Sequence, residues 1–306
     1  MDLGKYSRRQ FMAMGAMLLG GYGAHGAGLE LARNYKLALS TTSLRGSIGK
    51  DGGRIPFLEV PQLVRDEFDL DAVFLLSTQF ETVERSYLEA LRKALQKARV
   101  TLAAILVEEV GYLGAEELHG RQAAVQNYRG WVDQCAMLDC TQMRIQWIGH
   151  ARTTLRVKKE LQPYVERSIP AIKQVAEYAE DQGITILLET LGGPASDPDT
   201  LKQVVQTIGQ DNLKIMPNTG NFLRGADIEK TLTALAPIAG LYTLSSRDFD
   251  ELTGRSLDID FEKAIQVIHD QQGYTGYIGL EYTGTYYTEF EGVHRVKERL
   301  HQLMLS

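Results

Sequence analysis

Two glutamates in this chain of 306 residues close apolar runs: Ile186-Leu187-Leu188-Glu189 and Ile278-Gly279-Leu280-Glu281. Burying an ionised carboxylate costs several kcal/mol unless the charge is paired or bound to a cation. A glutamate ending such a run therefore either salt-bridges a neighbouring loop arginine or does chemistry. Two of them at one site could take a proton and return it. Without a strong cation between them they cannot both ionise easily, so one becomes a candidate general acid. Further polar candidates stand at comparable positions. They are Asn218 and Asn221 in Pro217-Asn218-Thr219-Gly220-Asn221-Phe222, His150 after Gln142–Trp147, Arg247 after Ser245-Ser246, and Tyr282.

The elements that must position them alternate. Short β-rich runs fall at Lys36–Thr41, Ala72–Leu76, Thr101–Val107, Gln142–Trp147, Ile184–Glu189, Leu213–Met216, Gly240–Ser245 and Tyr277–Glu281. Several are continuously apolar, as strands buried on both faces are. Helical spacing fills the intervals: Leu58–Phe68, Thr82–Ala98, Ala115–Leu138, Pro163–Gln182, Asp197–Ile208, Ala226–Leu235, Asp260–Gln271 and Glu289–Leu305. Asp197-Pro198 reads as an N-cap followed by proline at the first helical position. Eight strand–helix units in roughly 270 residues have the size of a single (β/α)₈ TIM barrel, with eight parallel strands and outer helices. A doubly wound sheet would want a glycine-rich phosphate loop after an early strand, and Ser40-Thr41-Thr42-Ser43-Leu44-Arg45-Gly46 is not one. In a barrel, chemistry sits at the C-terminal strand ends, where all the residues named above lie.

Composition narrows the function classes. The net charge of -6 argues against nucleic-acid binding. Cys135 and Cys140, the two cysteines, have neither zinc nor disulfide-framework spacing. The N-terminus is of a different kind from the rest. Ser7-Arg8-Arg9-Gln10-Phe11-Met12, an apolar glycine-rich run to about Gly23, and small residues from Ala24 to Gly28 resemble a twin-arginine (Tat) export signal. Residues 1–27 are expected to be that signal peptide and 28–306 the barrel domain. The Tat machinery is then a partner, and the mature protein is exported and periplasmic.

The barrel also resembles a known family. Pro56-Phe57-Leu58 through Phe68, Leu187-Leu188-Glu189-Thr190, Pro217 to Phe222, and Gly276 to Gly284 are, in order and spacing, similar to the xylose isomerase-like TIM barrels of the sugar phosphate isomerase/epimerase group. The resemblance covers about residues 35–300. It implies a divalent metal held by a glutamate, an aspartate, a histidine and a second glutamate on strands five to eight, with the two glutamates shuttling a proton across a sugar carbon. Those glutamates map to Glu189 and Glu281. The aspartate position is Asn218 and the histidine position is Thr243. Glu189, Asn218 and Glu281, with the Thr243 hydroxyl, form an oxygen donor set suited to Mg, Mn or Ca, weaker than the full site. His150 could supply a replacement nitrogen. Asn221, Arg247, His150 and Tyr282 are the expected contacts to a small carbohydrate.

Three functions fit these residues. One is a sugar isomerase or epimerase with a degenerate metal site. Another is a carbohydrate lyase or hydrolase that uses the glutamate pair without metal. The last is a barrel that binds sugar without turning it over.

Overall fold

A computed structural model describes residues 36–49, 53–147, 158–191, 196–222, 225–272 and 274–305. The export-like segment and His150 lie outside the described residues. The strands are β1 (Lys36–Ser40), β2 (Ala72–Leu76), β3 (Thr101–Val107), β4 (Gln142–Ile145), β5 (Thr185–Glu189), β6 (Leu213–Met216), β7 (Tyr242–Ser246) and β8 (Tyr277–Tyr282). The helices are α1 (Val60–Asp66), α2 (Arg85–Ala98), α3 (Leu118–Met137), α4 (Lys158–Glu180), α5 (Pro198–Ile208), α6 (Ile228–Leu235), α7 (Phe261–Gln272) and α8 (Glu289–Leu305). One helix follows each strand, as the alternating pattern requires.

All strand pairs are parallel, in the order β6-β5-β4-β3-β2-β1-β8-β7. The remaining seam, between β6 and β7, closes by isolated bridges from Ile215 to Ala239 and from Asn218 to Thr243. There the Gly240 N–H donates to the Ile215 carbonyl and the Thr243 N–H to the Pro217 carbonyl, each at 2.9 Å. The closing bridge thus joins two of the mapped site positions.

Period-two alternation along each strand sorts the side chains into two layers. Leu39, Met143, Ile145, Ile186, Leu188, Tyr242, Leu244, Ile278, Leu280 and Tyr282 pack outward against the helices. Ala38, Ala72, Phe74, Ala104, Leu106, Leu187 and Met216 point inward and fill the barrel. Phe74 takes the space that Gly279 leaves open: a Cβ on Gly279 would stand 2.3 Å from the phenyl ring. Above this apolar plug the inward positions turn polar.

Two local expectations are corrected. β4 ends at Ile145 rather than Trp147; Trp147 packs fully buried in the outer core, and its carbonyl accepts from Tyr164 Oη. The fourth helix starts at Lys158, before Pro163, and holds both Pro163 and Pro170 inside it. Each proline removes a helix hydrogen bond. The buried stripe Val165, Ile172, Val175, Ala176 and Ala179 offsets that loss. The Asp197 cap forms as expected, its carboxylate accepting from the Thr200 N–H at 3.1 Å.

Candidate active site

The inward positions at the C-terminal strand ends bring Glu189 (β5), Asn218 (after β6), Thr243 and Ser245 (β7), Glu281 (β8), Ser40 (β1) and Arg144 (β4) into the barrel mouth, all buried. Register explains the meeting. Ser245 lies beside Glu281 across β7 and β8. Ser40 follows Leu39, which pairs with Leu280, and so faces Glu281 from the other side.

The two glutamates share one donor. Asn218 Nδ2 donates to Glu189 Oε1 at 2.8 Å and lies 3.5 Å from Glu281 Oε1. The Asn218 carbonyl faces away, accepting from the Gly220 N–H at 3.0 Å, which fixes the orientation of the amide. Asn221 Nδ2 also reaches Glu189 Oε1, at 3.4 Å, and Ser40 Oγ donates to Glu281 Oε2 at 3.0 Å.

Arg144 is the site residue that the sequence reading missed. Its side chain is 3% exposed, and its Nε sits 3.1 Å from Glu189 Oε2, an ion pair off the N–H axis. Its Nη2 donates to Glu108 Oε1 at 2.9 Å and its Nη1 to the Val107 carbonyl at 3.1 Å. Arg45, half-exposed, pairs with the same Glu108 at 3.2 Å. Of the adjacent Glu108 and Glu109, then, Glu108 faces the site. The signal was legible: Arg144 is a lone charge between Met143 and Ile145 in a buried strand.

These charges set the proton affinities. Burial pushes the Glu281 carboxyl up, and the Glu189 charge pushes it further, to about 7. Burial also raises Glu189, with Arg144 and then the Asn218 amide pulling back part of the way. Glu108 is different. Burial would raise it, but the Arg144 and Arg45 guanidiniums outweigh burial and hold it below the ordinary carboxylate range. In the coupled pair, Glu189 has the cation beside it and Glu281 does not. Glu189 therefore ionises first and Glu281 keeps the proton.

Other expected contacts fare differently. Asn221 is at the site. Arg247 is exposed, and its backbone N–H is tied to the Asp258 carboxylate, 3.2 Å from Oδ1. Tyr282 is a correction. One residue beyond inward Glu281, its ring points outward onto α8, where a Cβ on Gly292 would stand 2.0 Å from it. Its hydroxyl accepts from the Tyr287 N–H at 3.0 Å.

The metal set is a correction as well. The structure gathers Glu189, Asn218 and Glu281, but Asn218 offers them its N–H rather than its carbonyl. Three of the four carboxylate oxygens meet N–H or O–H donors, and the fourth, Glu189 Oε2, lies against the Arg144 guanidinium. Among the described residues, no three His, Cys, Asp or Glu side chains converge as a metal-binding group. Arranged this way, the residues do not fit a cation.

The fold and these strand ends define a (β/α)₈ barrel with a buried acid pair at its mouth. The chain belongs to the xylose isomerase-like TIM barrel family, whose profile matches residues 65–301. No curated protein sequence matches it. Among solved structures it is similar to an L-ribulose 3-epimerase, with a TM-score of 0.71 and 16% identity over 89% of this chain and 95% of that one. It is also similar to D-psicose 3-epimerase with D-tagatose from Clostridium cellulolyticum H10 (TM-score 0.70, 15% identity, 88% of this chain and 99% of that one). A third is a xylose isomerase-like TIM barrel protein from Mycobacterium smegmatis in complex with magnesium (TM-score 0.62, 15% identity, 88% and 97%). At these identities the likeness is one of fold.

Proposed function

We propose that this protein is a sugar isomerase or epimerase that moves a proton at a carbon next to a carbonyl. The observation that carries the reading is the shared amide. Glu189 and Glu281 meet at Asn218 Nδ2, one beside a guanidinium and the other without a cation. The family and the sugar epimerases of the same fold support it.

In this reading the Glu189 carboxylate takes the proton from carbon and becomes the acid. The C–H electron pair moves onto the substrate carbonyl oxygen, giving an enediolate-type oxyanion. The Asn218 and Asn221 amides are the donors closest to hand for that oxygen. Glu281 then gives its proton to carbon on the other face and is left ionised. The carbonyl re-forms, and exchange of both carboxyls with water resets the pair.

Proton NMR in D₂O tests this on a panel of free ketohexoses and ketopentoses. Turnover is expected to place deuterium at the carbon beside the carbonyl. Product formed by bond cleavage, without exchange, would favour the lyase or hydrolase reading. Binding without either would favour a sugar-binding barrel.

We propose further that residues 1–27 direct export through the twin-arginine pathway. The paired Arg8-Arg9 before Phe11-Met12 supports this. Cell fractionation is expected to find the protein in the periplasm, and Arg8→Lys with Arg9→Lys to hold it in the cytoplasm. Equal distribution of the two forms would refute it.

A further inference from the structure

The family resemblance calls for a dication where this chain has built something else. Arg144 arrives from β4, a strand that carries none of the four ligand positions mapped above. It is fixed at three points by the Val107 carbonyl, Glu108 and Glu189. Glu108 is anchored in turn: its N–H donates to Ser77 Oγ at 2.9 Å, and its carboxylate pairs with Arg45. The guanidinium therefore cannot swing aside without leaving a buried charge unpaired, which is strongly unfavourable.

The charges are already balanced. Two guanidiniums, Arg45 and Arg144, face the carboxylates of Glu108 and Glu189. Glu281 contributes a third carboxyl, held by Ser40 and Asn218. A dication entering between Glu189 and Glu281 would meet the amide N–H groups of Asn218 and Asn221. It would also lie beside Arg144, a like charge in a buried site where repulsion is screened little. On the mapped histidine position, the Thr243 hydroxyl has no hydrogen-bond partner, and as a neutral oxygen it does not compensate for either loss.

We infer that Arg144 is the resident cation of this site: a positioning residue that neutralises Glu189 in place of a metal and keeps divalent cations out. The exclusion of metal stands on geometry alone. The role of Arg144 in setting Glu189 as base rests on the proton-transfer reading above.

The test therefore has a metal arm that needs no substrate. Full-length protein purified without chelator is titrated with Mn²⁺, and free Mn²⁺ is read by electron paramagnetic resonance. Wild type is expected to take up less than about 0.1 equivalent and to melt at the same temperature with and without EDTA, since no ligand stabilises the fold. Stoichiometric uptake at micromolar Mn²⁺, or an EDTA-induced loss of melting temperature, would overturn the inference.

A second comparison isolates Arg144. Asn218→Asp with Thr243→His restores the mapped ligands. Adding Arg144→Met to that pair is expected to tighten Mn²⁺ binding at least tenfold. Equal affinity with and without Arg144 would sink its excluding role. If the triple variant does not fold, Arg144→Gln on the restored pair replaces it, removing the charge while leaving an amide to meet the Val107 carbonyl and Glu108, and the wild-type titration still decides on metal.

The positioning role is read from the pH profile of deuterium exchange. Arg144→Met is expected to move the acidic limb upward by about one pH unit, and Arg144→Lys to bring it back. A fall in rate with no movement of the limb would leave Arg144 a structural residue only. Failure of every sugar to exchange would count against the proposed function and leave the metal result standing.

Discussion

Glu281→Gln and Glu189→Gln are each expected to lower kcat/KM for sugar epimerisation by about 10²–10⁴-fold, the range for a positioned acid or base, yet to differ in stability. Both substitutions preserve shape, one removing the base that takes the proton and the other the acid that gives it. Glu281 holds its proton near neutrality, so glutamine replaces one neutral group by another. The Ser40 hydroxyl can rotate to suit an amide partner, and the fixed Asn218 N–H can meet the glutamine carbonyl. Folding stability at or below pH 4.5 should change by less than about 1 kcal/mol, as for isosteric swaps that leave no orphaned charge. Near pH 6 the variant should be the more stable by about 2 kcal/mol, because it lacks the loss wild type suffers as the unfolded chain releases the Glu281 proton.

Glu189→Gln instead strips Arg144 of one carboxylate in a site 3–5% exposed. Breaking a buried ion pair costs about 3–5 kcal/mol, because the remaining charge is uncompensated. Glu108 still holds the guanidinium, which places the expected loss at the lower end of that range. Steady-state kinetics and urea denaturation of the two variants measure both effects. Activity retained in Glu281→Gln would remove it from the acid role, and equal stability losses would contradict the asymmetric pairing.

The alternating strands and helices, and hence the barrel, were legible because eight buried runs and their helical intervals repeat without a break. The acid pair was legible for the same reason: a glutamate closing an apolar strand has few places to be. What the sequence reading lost, it lost by following strand ends and not strand faces. The period of two that turns Glu281 inward turns Tyr282 outward, and the same period places Arg144 inside between outward Met143 and Ile145. Applied strictly, the rule finds Arg144 and discards Tyr282.

The orientation of Asn218 was not available to any rule of spacing. An amide carries an acceptor and donors on one group, and which one meets the glutamates is decided by the Gly220 N–H two residues on. That N–H exists in its position only because the chain turns tightly after β6 at Thr219–Asn221.

The second large effect is on stability against pH, and its sign follows from Glu281. Its proton affinity is raised from 4.5 to about 7 in the folded protein. Below pH 4.5 both folded and unfolded chains hold the proton, and its contribution is fully present. Between 4.5 and about 7 the unfolded chain releases the proton while the folded chain keeps it, so stability falls as pH rises. Above about 7 both have released it, and the loss totals about 3 kcal/mol at 1.36 kcal/mol per pH unit. Glu189, also raised, adds to the same side.

Glu108 works in the opposite sense and a different window. Held below its ordinary value of 4.5 by Arg144 and Arg45 against burial, it stabilises the fold above that pH and loses its contribution as pH falls below it. Urea unfolding of wild type at pH 5 and pH 8 is expected to show the protein less stable at pH 8. Glu281→Gln should remove most of that difference and leave the acid limb below 4.5 intact, because Glu108 is untouched. The catalytic counterpart is a rate that declines above pH 7, about tenfold per unit, as the acid form is titrated away. Parallel stability slopes in wild type and Glu281→Gln between pH 5 and 8 would show that Glu281 is not the group holding the proton. The asymmetry on which the proposed chemistry depends would then have to come from Glu189 instead.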